Sequence, residues 1–285
     1  MIDHYERVNG VRIHYLDRDG GEPPIVMLPG LSANAHAFDG LVAAGLSPRF
    51  RTIALDLRGR GDSDKPDTGY TLEDHAADVL ALLDHLGIER ATILGHSFGG
   101  LLTIYLAAKH PQRVACVVLL DVAVWILEDT AKLIRVSIDR LTKTFPSADG
   151  YIDALKHAPY LDGFWDPMVE RYFRAEIETS ADGTARARTS AAAIEQVIQA
   201  IGKEPWGEYV KQISAPSILI NGPGAYGPPG APAIVPAALA RETAGSIAGC
   251  RYIEVPGNHM TMIFGGNAKH VMRAIAGFVV AEVPA

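Results

Sequence analysis

The chain of 285 residues is 48% hydrophobic and 21% charged and has no low-complexity tract, which excludes a disordered protein and predicts one folded unit with a sizeable core. Its 26 basic and 33 acidic residues give a formal net charge of -7 with no Lys/Arg cluster, so nucleic acid is excluded as an expected partner. No stretch approaches the roughly 18 apolar residues needed to cross a bilayer, and the opening Met1-Ile2-Asp3-His4-Tyr5-Glu6-Arg7 lacks an apolar signal core, which predicts a cytoplasmic protein without membrane contact.

In chain order, residues 11–16 and 25–28 are β-like runs separated by the turn-rich Asp19-Gly20-Gly21-Glu22-Pro23-Pro24, which predicts an opening antiparallel strand pair. A helix is predicted near residues 35–44, a buried strand at 51–56 and an amphipathic helix at 71–86. Thr71-Leu72-Glu73-Asp74 starts that last helix as a capping box, and Gly87 stops it. Residues 91–94 read as a strand, 98–109 as a helix ended by Pro111, and 114–120 as an apolar strand of the parallel-sheet kind. This alternation predicts an α/β fold with a mostly parallel, doubly wound sheet, which binds its ligands at the carboxyl ends of the strands.

The alternation breaks over residues 122–211, where helical patterns such as 133–145 and 191–201 occur without a convincing strand. An inserted helical cap is expected there, on a core made of residues 1–121 and 212–285. Strands and helices resume at 217–220, 236–243, 251–255 and 268–280. Cys116 and Cys250 adjoin β-like apolar sequence and are expected to be buried small side chains, not a disulfide. The ten His residues show no metal-binding spacing, so neither a metal nor a cofactor is expected.

The clearest chemical signal is Gly95-His96-Ser97-Phe98-Gly99, set between a predicted strand and a predicted helix as a G-x-S-x-G nucleophile elbow requires. Such a turn strains the backbone of its Ser and exposes the hydroxyl at the sheet edge, while the flanking glycines let neighbouring backbone come close. His96, at the variable position, is expected to pack beside the elbow and to take no part in proton transfer.

With this motif the chain resembles the α/β-hydrolase superfamily over residues 11–280. Leu28-Pro29-Gly30-Leu31 is similar to the family's oxyanion loop, and Asp56-Leu57-Arg58-Gly59-Arg60-Gly61-Asp62-Ser63 to its D-x-R-G-x-G-x-S turn. The resemblance implies the α/β-hydrolase fold, with the backbone N–H groups of Leu31 and Phe98 as oxyanion donors. Pro29 replaces a His often found there, which leaves backbone donors untouched. The turn at 56–63 is expected to be structural.

A Ser hydroxyl needs a base to become a nucleophile. His259, in Val255-Pro256-Gly257-Asn258-His259, follows the last predicted strand, where the family carries its catalytic His. The family's usual acid follows the strand after the cap, but residues 221–236 contain no carboxylate. Some relatives, among them haloalkane dehalogenases and zearalenone-type lactonases, place the acid after the preceding strand. Asp121 stands there, 24 residues beyond Ser97, and is the expected acid, with Glu128, Asp129 and Glu254 as further candidates.

Residues 122–211 hold 10 aromatic residues in 90, against 11 in the other 195, so a small apolar or ring-bearing substrate is expected. Trp125, Phe164 and Trp165 are the expected substrate-binding residues. Ser97 excludes dehalogenase and epoxide-hydrolase chemistry, which needs a carboxylate nucleophile. The expected activity is hydrolysis of a carboxylic ester or lactone through a Ser-His-Asp triad and an acyl-enzyme. The alternatives are a cofactor-free dioxygenase, a carbon-carbon bond hydrolase, which usually carries a Trp where this chain has Met260, and a hormone-receptor-like binding module. The sequence carries no signal of oligomeric state.

Overall fold

The computed structural model describes residues 2–283 apart from 126–134, 136–137 and 229. Its main sheet has eight strands in the order β1-β2-β4-β3-β5-β6-β9-β10. These are β1 (Ile2–Val8), β2 (Val11–Arg18), β3 (Ile25–Leu28), β4 (Thr52–Leu55), β5 (Ala91–His96), β6 (Val114–Leu120), β9 (Ser217–Asn221) and β10 (Arg251–Glu254). β2 pairs antiparallel with β1 and β4, and the strands from β4 through β10 run parallel.

Continuous apolar strands suit a sheet covered on both faces, and the alternation of side chains along each strand divides the core in two. Val26, Leu28 and Ile93 join one buried cluster with Leu72, Val79, Leu102 and Ile104 of the helices Leu72–His85 and Phe98–Lys109. Ile25, Met27 and Leu94 join the other with Val271, Ile275 and Phe278 of the helix Gly265–Glu282. The sheet is therefore wound on both sides. Thr71 caps the first of these helices reciprocally with Asp74, its Oγ1 accepting from Asp74 N at 3.1 Å and its N–H donating to Asp74 Oδ2 at 2.9 Å.

The opening strand pair differs from the sequence expectation. Its members are β1 and β2, joined by Asn9-Gly10 with φ of 48° and 79°, a two-residue turn that these residue types favour. Ile25–Leu28 instead lies between β4 and β5. β1 is an edge strand of largely polar sequence, identified by its pairing with β2 and not by an apolar run of its own.

The turn after β4 is built around Asp56, whose carboxylate accepts from Ala35 N at 2.7 Å, Asp62 N at 2.8 Å and His14 Nδ1 at 2.7 Å. A Cβ at Gly61 would fall 2.0 Å from Asp56 Oδ2, so only glycine fits there. His14, Asp56 and Asp62 bring potential ligand atoms within 4.8 Å of one another, but the Asp56 oxygens are already engaged by these three donors.

Between β6 and β9 the chain forms helices Ala148–Lys156, Pro167–Ala175, Ala191–Ile201 and Trp206–Gln212 and a small antiparallel sheet of β7 (Ile177–Thr179) and β8 (Ala185–Ala187). The sequence shows no strand here because three-residue strands are too short for an alternation to register. The helix expected at 133–145 lies partly outside the described residues. Its described end is a single turn of 3-10 helix, Arg140–Thr142, followed by Phe145, which pairs with Ala185. This segment rests on the loops at the carboxyl ends of the strands: Thr189 Oγ1 donates to Ser32 O at 3.1 Å, and Asn34 Nδ2 donates to Tyr172 O at 3.1 Å. Among the described residues no helix is long and apolar enough to cross a membrane.

Candidate active site

Ser97, between β5 and the helix Phe98–Lys109, adopts φ 55° and ψ -117°, a conformation that costs a non-glycine residue about 1–3 kcal/mol. It is held there by its N–H, which donates to Leu120 O at 3.0 Å, and by its carbonyl, which accepts from Gly100 N at 2.8 Å. A Cβ at Gly95 would lie 2.0 Å from Gly99 O, and one at Gly99 would lie 1.9 Å from Leu28 O. The two glycines thus press the elbow against the loop that carries Leu31. Phe98 opens the helix, so its N–H has no acceptor within it and lies at the positive end of the helix dipole.

Asp121, fully buried, ends β6 in a second strained turn with φ 47°. Its Oδ2 accepts from His259 Nδ1 at 2.6 Å, and its Oδ1 accepts from Asn221 Nδ2 at 2.6 Å and Gly222 N at 2.8 Å. A carboxylate only accepts, so Nδ1 of His259 carries the hydrogen and Nε2 is left with its lone pair. The loop after β10 that carries His259 is tied down by Asn258. Asn258 Oδ1 accepts from Met260 N at 3.0 Å and Thr261 N at 2.9 Å, and its Nδ2 donates to Tyr160 O at 2.9 Å and Ala225 O at 3.1 Å. His96 braces the same loop, its Nε2 donating to His259 O at 2.9 Å. Burial, with a smaller electrostatic contribution from the adjacent His259 ring, pushes His96 down to about 3, which keeps its ring neutral.

Neither Asn221 nor Asn258 stands out as a site residue in the sequence. The available signals were a lone polar residue closing the apolar strand Ser217–Asn221 and an Asn in the turn just before the expected base. Of the other candidate acids, Glu254 is exposed and paired with Arg241, while Glu128 and Asp129 lie outside the described residues.

Ser97, Asp121, His259, Leu31 and Phe98 line one cavity of about 150 Å³. That is room for roughly ten water-sized spheres, the scale of a small organic molecule. Leu101, Val122, Ile201, Val235 and Met260 give it apolar walls, and Trp125, Tyr160, Tyr172, Phe173 and Tyr226 add rings. Tyr160 and Tyr226 stack with centroids 4.6 Å apart. Arg140 also reaches this cavity, ion-paired to the buried Glu176, which accepts from Tyr151 Oη at 2.7 Å.

Phe164 and Trp165 do not line the cavity, which corrects their expected substrate contact. Trp165 stacks on Phe173 at 5.9 Å, donates Nε1–H to Glu170 and borders a separate surface depression. Phe164 packs over Gly265, where a Cβ would come within 3.1 Å of its ring. Aromatic richness reports how many rings a segment holds, and packing decides which of them face inward.

Residues 23–222 match the protein family described as the alpha/beta hydrolase fold. The 2-(acetamidomethylene)succinate hydrolase of Mesorhizobium japonicum is 30% identical over 226 residues, covering 77% of this chain and 78% of that protein. The crystal structure of E-2-(acetamidomethylene)succinate hydrolase superimposes with a TM-score of 0.82 at 25% identity, over 98% of both chains. An enol-lactonase from Burkholderia xenovorans LB400 superimposes with a TM-score of 0.73 at 28% identity, over 97% of this chain and 100% of that one. Sequence match, sheet order and elbow agree: this chain belongs to the α/β-hydrolase superfamily.

Proposed function

We propose that this chain is a serine hydrolase that cleaves a carboxylic ester or lactone of a small apolar or ring-bearing compound. One observation carries the reading: a Ser in a strained elbow and a His whose Nδ1–H is committed to a buried carboxylate open onto a single, largely apolar cavity. Ser97 Oγ attacks the carbonyl carbon as His259 Nε2 takes its proton, and Asp121 stabilises the imidazolium. The N–H groups of Leu31 and Phe98 receive the oxyanion, each worth about 3 kcal/mol of barrier.

Collapse of the tetrahedral species expels the alcohol oxygen, which takes its proton from His259. Water, activated by the same imidazole, then attacks the Ser97 ester and frees the acid. Residues 122–211 serve as a cap whose rings, with Tyr226, select the substrate. Likeness to the enol-lactonase supports the lactone side of this reading. Likeness to 2-(acetamidomethylene)succinate hydrolase favours a second reading, in which the same machinery acts on a compound of that kind.

The test is turnover of p-nitrophenyl esters of graded chain length, aryl esters, lactones and 2-(acetamidomethylene)succinate, beside labelling with a fluorophosphonate. We expect ester or lactone turnover and labelling at Ser97 alone, both abolished in Ser97→Ala. Turnover that survives this substitution, or a label on another residue, overturns the reading. Turnover of the succinate alone selects the second.

A further inference from the structure

Arg60 heads the largest side chains that are wholly shut off from solvent, and no step above uses it. A buried guanidinium is normally matched by a carboxylate. Arg58 follows that rule with Asp78 and Arg18 with Asp39. Among the described residues no carboxylate pairs with Arg60. Its Nε donates to Leu31 O at 2.9 Å, and its Nη1 donates to Arg58 O at 2.6 Å and to His75 Nε2 at 2.9 Å.

His75 is a neutral partner, because its Nδ1–H is committed to Thr71 O at 2.7 Å, and burial together with Arg60 holds its pKa well below the usual value. Arg60 Nη2 has no partner among the described residues. The guanidinium carbon sits 5.3 Å from the centroid of the Phe98 ring. Burial draws Arg60 down to about 9, which leaves it protonated at neutral pH. One uncancelled cation therefore touches both Leu31 and Phe98, the two residues whose N–H groups form the oxyanion hole in the reading above.

We infer that Arg60 is a positioning residue of the oxyanion hole, fixing the Leu31 carbonyl and the Phe98 ring so that the two N–H groups converge, and lending its charge to the anion formed there. This inference rests on the Ser97 hydrolase reading. A neutral ester in the ground state gains little from the charge, whereas the tetrahedral transition state is anionic and lies in a low-dielectric site. Loss of Arg60 should then lower kcat and leave KM nearly unchanged.

The experiment compares wild type, Arg60→Met and Arg60→Lys for kcat, KM and inhibition by an aryl trifluoromethyl ketone and its methyl ketone parent. The first inhibitor accepts Ser97 Oγ at its carbonyl carbon, the π electron pair passes to the oxygen, and the Ser97 proton passes to His259, so it reports oxyanion binding. The second stays a neutral ketone. Thermal melts check folding.

In Arg60→Met we expect kcat to fall by about 10- to 1000-fold, KM to move by less than about threefold, and trifluoromethyl ketone affinity to fall in step with kcat. Arg60→Lys, which keeps the charge, should lose less. A folded Arg60→Met with kcat within about twofold of wild type, or with equal loss of both ketones, overturns the inference. Should Arg60→Met not fold, Arg60→Lys decides by the same criterion: selective loss of the trifluoromethyl ketone supports the role, and equal loss overturns it. Turnover that survives Ser97→Ala overturns instead the hydrolase reading beneath it.

Discussion

Asn221 and Asp121 stand 100 residues apart in sequence, yet the Asn221 side-chain amide donates a 2.6 Å hydrogen bond to Asp121 Oδ1. They close the neighbouring parallel strands β9 and β6, whose register also sets Asp121 N against Ile220 O at 2.9 Å. With Gly222 N on the same oxygen, the carboxylate is fixed in rotation, and Oδ2 is left for His259. The residue that opens the carboxylate-free stretch 221–236 thus holds the carboxylate of Asp121 in place.

Replacing Asp121 by Asn keeps this shape but favours the wrong tautomer of His259. Activity is expected to fall by about 10²- to 10⁴-fold with little change in melting temperature. Glu254→Gln, at an exposed residue bonded to Arg241 and Tyr252, is expected to stay within about twofold of wild type. Ester kinetics on both variants check this, and a collapse in Glu254→Gln with full activity in Asp121→Asn would relocate the acid.

Gly99→Ala places a methyl group 1.9 Å from Leu28 O, on backbone that cannot step aside. We expect a loss of at least about 3 kcal/mol of folding stability, since overpacking against backbone has no side chain to absorb it. Urea unfolding measures the loss, and a change below about 1 kcal/mol would show that the elbow has room to move.

His96 carries a pH dependence whose sign follows from its depressed pKa. In the fold it stays neutral down to about 3, because burial and, to a smaller extent, the neighbouring His259 ring oppose protonation. In the unfolded chain it takes a proton near the ordinary value of about 6.5. Its contribution to stability is therefore present above about pH 6.5 and lost as pH falls toward 3, at about 1.4 kcal/mol per pH unit. His96→Asn should reduce the stability lost between pH 7 and pH 5 by about 2 kcal/mol. Equal losses in mutant and wild type, read from urea unfolding at the two pH values, would contradict this.

Trp125 and Trp165 separate ring content from ring placement. Trp125 lines the cavity while remaining 37% exposed, and Trp165 is turned away onto Phe173. Trp125→Ala is expected to raise KM by about tenfold or more, the scale of one apolar pocket contact. Trp165→Ala should leave KM within about twofold. Steady-state kinetics with an aryl ester decide, and a reversed order would place the substrate on the other side of the Phe173 ring.

By itself the sequence determined what short windows of chain can carry. The glycines around Ser97 describe a turn whose sterics are local, the Thr71 and Asp74 box marks a helix start, and helical periodicity placed Phe98–Lys109 and Ala191–Ile201 at the bounds found in the structure. The tertiary structure decided what depends on segments far apart. β1 owes its place to pairing with β2, and β7 and β8 are too short to register alone. Asp121 meets His259 across 138 residues, and Arg60 reaches Leu31 across 29. Phe164 and Trp165 pack elsewhere and do not line the cavity that Tyr160, Tyr172 and Tyr226 line. The physical reason is that backbone sterics and side-chain periodicity act within a few residues, whereas the partner of a buried charge and the facing of a ring are set only when distant surfaces pack.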